Sequence, residues 1–144
     1  MKKVINFTVL SFSLFIIEVI ITFFVMLSID LSRYGYDQFY LYKALNSTGM
    51  WNFWRVLFFG VPYILLFFLF FKFLNRFTLS RPILLSFINL FIYIFLSISS
   101  RIIWGKNIPL PPEGVMFWVT CVSIVLAPFI IRKITFCKNL MKYL

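Results

Sequence analysis

Four apolar runs, each near the length that crosses a bilayer, constrain this 144-residue chain more than any other feature. They extend from about Phe7 to Leu27, Trp54 to Phe71, Pro82 to Ser99 and Val115 to Ile131. A bilayer core takes roughly 20 helical residues, so the third and fourth runs are a little short. Lipid offers backbone amides no partner, and a spanning run must therefore close its hydrogen bonds internally, as a helix. The expected fold class is all-α: a four-transmembrane-helix bundle forming one polytopic membrane domain over residues 1–144. Pro82 suits a first helical turn, while Pro112 and Gly114 break the chain ahead of the fourth run. Pro62 and Pro128 fall inside the second and fourth runs, where kinks are expected.

A water-soluble fold fails on composition. The chain is 62% hydrophobic, 22% aromatic and 12% charged, whereas about a quarter of a soluble domain is charged. At this length a domain buries too little of its surface to hide so much Phe, Ile and Leu. There is no His, and there are only two Cys and four acidic residues. No GxSxG, Walker loop, CxxC or HExxH occurs either, so no enzymatic activity, cofactor or metal is expected. Cys121 lies in an apolar run and Cys137 in a basic tail, which argues against a structural disulfide.

The net charge of +10 raises the question of nucleic acid. No soluble segment carries a basic groove or an interleaved aromatic platform, so no nucleic-acid partner is expected. The positions of the charges answer differently. Lys2, Lys3, Lys72, Arg76, Arg81, Arg132, Lys133, Lys138 and Lys142 fall on one side of the four runs, with no acid among them. The other side holds Arg33, Lys43, Arg55, Arg101 and Lys106 against Asp30, Asp37 and Glu113. The positive-inside rule then predicts an integral cytoplasmic (inner) membrane protein with both termini cytoplasmic. The first run is too long for a signal peptide, contains Glu18 and lacks a small-residue cleavage site, so an uncleaved span is expected.

Residues 28–53 form the one sizeable polar connection. Asp37 is placed to cap a short interfacial helix through Leu45, and NSTG (46–49) has turn chemistry. Tyr40, Trp51 and Trp54, with Trp104 and Trp118 near the ends of the later spans, are expected to anchor in the headgroup layer. The tail 132–144 places apolar residues on one helical face and basic ones largely elsewhere. It is expected to form a basic amphipathic helix whose Arg132, Lys133, Lys138 and Lys142 contact anionic membrane lipids.

Glu18 is the acid inside a spanning run. At helical spacing it shares a face with Thr22, and span three carries a stripe of Asn89, Tyr93 and Ser97. With Tyr63, Thr120 and Ser123 these residues form an expected polar seam between helices, since hydroxyl and small side chains hold helices together in lipid. No basic residue is expected at the depth of Glu18, so it is read as a neutral donor bonded across helices. Three roles fit: structural glue, contact with a partner's membrane helix or another copy, and a proton- or ion-handling site.

In layout alone, a short Phe- and Ile-rich chain with four spans and both ends inside is similar to immunity proteins against pore-forming bacteriocins. It is similar in the same way to phage exclusion proteins and membrane components of bacterial defence systems; no residue is carried over from them. The expected function is non-enzymatic, through intramembrane and interfacial contacts with a protein partner or further copies. The alternative is a self-assembling pore or small transporter whose path is lined by Glu18 and the span-three stripe.

Overall fold

The computed structural model describes residues 2–74, 80–105 and 112–135. It is all-helical: α1 is Lys2–Tyr34, α2 Gln38–Leu74, α3 Arg81–Trp104 and α4 Val115–Ile131. Three of these are long and apolar enough to cross a membrane, over Ile5–Tyr34, Gln38–Phe73 and Arg81–Trp104. α4 is apolar throughout but has only 17 residues. At about 1.5 Å per residue, the 33 residues of α1 and the 37 of α2 outreach a hydrocarbon core roughly 30 Å thick.

Local chemistry sets most helix ends. Gly35 adopts φ +80°, a conformation that L side chains rarely take, and its N–H donates to Leu31 O at 3.0 Å, closing α1. Two residues later Asp37 Oδ1 accepts from the Phe39 N–H at 3.0 Å, capping α2 as its position in the sequence suggests. Pro82 stands in the first turn of α3, where its missing N–H costs nothing.

The second helix departs from expectation. Instead of a short loop helix, a turn at 46–49 and a span from Trp54, the chain forms one unbroken helix from Gln38 to Leu74. The reason is visible in its buried face. Ala44, Thr48, Asn52, Arg55, Phe59, Phe67 and Phe71 are buried, with Tyr63 half-buried between them, at steps of three or four residues. That stripe runs straight through NSTG. Tertiary packing of one continuous face outweighs the weak turn preference of four residues. The helix also passes through Pro62 without interruption.

Neighbouring helices pack around a ring, α1 on α2, α2 on α3, α3 on α4 and α4 back on α1. Aromatic pairs mark three of the seams. Phe7 meets Phe67 at 4.8 Å between ring centroids, Phe70 meets Phe91 at 5.3 Å, and Tyr93 meets Phe117 at 5.5 Å. Along α1 the buried residues are Phe7, Leu10, Leu14, Glu18, Thr22 and, near its end, Asp30, while Phe12, Ile16, Ile20 and Phe24 point outward. Glu18 and Thr22 thus continue the core stripe rather than interrupting it.

Candidate functional site

The buried faces of α1 and α2 meet at a pair of opposite charges. Arg55 Nη2 donates to Glu18 Oε2 at 3.0 Å, with side chains 6% and 2% exposed. This corrects the expectation that Glu18 has no basic residue at its depth. Arg55 does not lie in the outer connection; it sits in the middle of α2, on the buried stripe. Glu18 bonds across helices, but as an acceptor from a guanidinium, where a donor was expected.

Several groups make that pair tolerable. Two charges removed from water repay their desolvation only with good geometry and further bonds. Arg55 Nη1 donates to Asn52 Oδ1 at 2.9 Å, and Asn52 Nδ2 in turn donates to Thr48 O one turn earlier, at 2.8 Å. The guanidinium also lies over two aromatic faces, 5.5 Å from the Phe15 centroid and 5.0 Å from that of Tyr93. Such a contact is worth about 0.5–1 kcal/mol where exposed and about 2 kcal/mol where desolvated.

The remaining seam residues fall into separate contacts between neighbouring helices. Thr22 Oγ1 donates to Ser123 Oγ at 2.9 Å, joining α1 to α4, and Ser123 Oγ in turn donates to Val119 O at 2.8 Å within α4. Tyr63 Oη donates to Asn89 Oδ1 at 2.7 Å, joining α2 to α3. Thr120 is buried but donates to Met116 O within its own helix. Ser97 is buried with no partner for Oγ, and the same holds for Tyr93 Oη, Asn89 Nδ2, Trp51 Nε1 and Thr48 Oγ1. Ser86 adds a bond that the seam lacked, its Oγ lying 2.9 Å from both Pro82 O and Val125 O across α3 and α4.

The aromatic anchors divide. Trp104 and Trp118 are exposed, whereas Trp51 and Trp54 pack partly buried against the core. Tyr40 is half-buried and stacks on Tyr34 at 5.0 Å. Arg132 and Lys133 are exposed beyond α4, while Lys138, Lys142 and the rest of the segment expected to form the amphipathic tail helix lie outside the described residues. An exposed pair, Arg101 with Glu113 at 3.2 Å, ties the end of α3 to the approach to α4 and contributes little.

Beside the ion pair is a partly open cavity of about 230 Å³ between α1 and α2, reaching Tyr93 of α3. Phe15 and Phe59 form its wall, and its lining is largely apolar, with Thr8, Ser11, Glu18, Arg55, Tyr63 and Tyr93 as the residues that carry polar groups. Phe12, Val56 and Ile64 stand at its exposed rim. Sequence reasoning missed Arg55, Asn52 and Thr48. The signal was available in their spacing with Ala44 and Phe59, and in the need of a buried carboxylate for a partner. Among the described residues no group of His, Cys, Asp and Glu could hold a metal ion. No protein-family model, curated protein or solved structure matches this chain.

Proposed function

We propose that this is a non-enzymatic component of a cytoplasmic membrane that acts by helix–helix contact with a membrane protein partner, as an accessory, immunity, exclusion or defence component. One observation carries this reading. The strongest polar groups are turned inward and engaged with one another, as Glu18 with Arg55, Thr22 with Ser123 and Tyr63 with Asn89. Every helix is left with an outward face of large apolar side chains, such as Phe24, Phe68, Phe95 and Phe129. A charge already neutralised inside one protomer is poorly suited to releasing and rebinding protons. A bundle built this way works through its surface.

A photo-crosslinking residue placed in turn at those four phenylalanines tests the idea in native membranes. Adducts of one defined protein mass, confined to one or two helices, are expected. Lipid adducts alone at all four positions would remove the proposal. A second reading, a small transporter or self-assembling pore, draws on the cavity that touches both charges. Flux in proteoliposomes that disappears in Glu18→Gln would put that reading first.

The proposed orientation places both termini and the α2–α3 connection in the cytoplasm. Terminal tags should then be shielded in intact spheroplasts. A cysteine introduced at Lys43 should react with a membrane-impermeant maleimide added outside; the reverse pattern overturns the orientation.

A further inference from the structure

We infer that the cavity between α1 and α2 is a binding site for a neutral acyl ester, the glycerol-ester region of a membrane lipid, with its carbonyl on Arg55 and its chain along the phenylalanine wall. This goes beyond the proposed function and does not depend on it. The rim residues Phe12, Val56 and Ile64 are exposed on helices long and apolar enough to span, so the cavity opens sideways toward lipid rather than toward water. What can enter is what the bilayer contains.

The chemistry of the floor narrows the choice. Arginine presents its N–H donors in a planar fork. The contact with Glu18 is a single Nη2–Oε2 bond and not a two-pronged one, and one further bond goes to Asn52. The remaining N–H groups of Arg55 have no oxygen acceptor among the described residues. A hydrogen-bond acceptor inside the cavity would satisfy them. It should be uncharged, because Glu18 already balances the guanidinium and a second anion would meet that carboxylate at short range. An ester carbonyl fits; a free phosphate or carboxylate does not. Tyr93 lines the same space and is buried. Gly60 leaves room for the chain, since an added Cβ there would meet nothing closer than Val56 Cγ1 at 3.9 Å.

The full-length protein, reconstituted with dioleoylphosphatidylcholine or with its ether-linked analogue, which lacks both carbonyls, tests the site by native mass spectrometry. One ester lipid should remain bound after delipidation, and the ether lipid should be held about tenfold less well, the factor for one hydrogen bond to a charged donor. Gly60→Leu fills the cavity and should lose the retained lipid, whereas Val61→Leu, on the exposed side of the same helix, should keep it. Equal retention of the two lipids overturns the proposal, as does a folded Gly60→Leu that still holds its lipid. A dimer that disappears in Gly60→Leu would assign the cavity to a second copy instead. Should Gly60→Leu unfold, the ester–ether comparison on the unaltered protein decides.

Discussion

Replacing Glu18 by leucine is expected to destabilise the fold by about 3–5 kcal/mol, the cost of leaving a buried arginine without its counter-charge. Arg55 would be left as a buried charge with no carboxylate beside it. Glu18→Gln should therefore be costly too, although it preserves shape. Arg55→Leu is the milder change, since an orphaned carboxyl can take up a proton and become neutral. The double variant Glu18→Leu/Arg55→Leu removes both charges and should return to within about 1 kcal/mol of the unaltered protein. Unfolding in mixed micelles, with all four chains compared as a thermodynamic cycle, gives the coupling directly. The sequence alone leads elsewhere: a neutral, donor Glu18 makes Gln nearly silent and Leu worth roughly 0.5–2 kcal/mol. Additive single variants, or a silent Glu18→Gln, would return the site to that description and dissolve the ion pair.

This difference shows what the sequence made legible and what it hid. Long apolar runs announced helices, because in lipid a backbone has few other ways to close its hydrogen bonds. The bounds of α4 follow directly from its run, and α3 starts within a residue of its run, at Arg81–Pro82. The first half of α2 was hidden because Lys43, Asn46 and Ser47 look like a loop when composition is read. They look like the outer side of a helix only when Ala44, Thr48, Asn52 and Arg55 are read at steps of three and four. Arg55 was hidden for a related reason. It stands at the edge of an apolar run, where basic residues ordinarily face the membrane surface. Its place in the core depends on Glu18, which lies 37 residues away. Sequence also could not say which polar residues meet. Thr22 finds Ser123 and Tyr63 finds Asn89 because of helix order around the ring and relative height.

Hydrophobic periodicity, the usual guide to a helix's inner face, is nearly silent here. In LLFFLFF (65–71) every residue is apolar, so composition cannot separate core from lipid face. The structure does separate them. Phe67 is 0% exposed, with Phe7 at 4.8 Å, Tyr63 at 6.0 Å and Phe71 at 6.1 Å around its ring, while adjacent Phe68 is 51% exposed. Two identical side chains, one residue apart, should therefore behave differently. A bilayer gives a displaced ring an environment as apolar as the core, so the transfer part of a Phe→Ala cost largely cancels for both. What remains is the void. Phe67→Ala leaves a cavity among three aromatic neighbours that cannot all collapse into it, and should cost about 3 kcal/mol, the lower end of the range for buried Phe in water-soluble cores. Phe68→Ala opens no void, because lipid chains flow into the space, and should cost under about 0.5 kcal/mol, as for other changes away from a packed core. Measured side by side in bicelles, a ratio near one would mean that α2 is rotated about its axis from the position described. The same rotation would carry Arg55 away from Glu18, so this pair of alanines and the charge cycle must succeed or fail together.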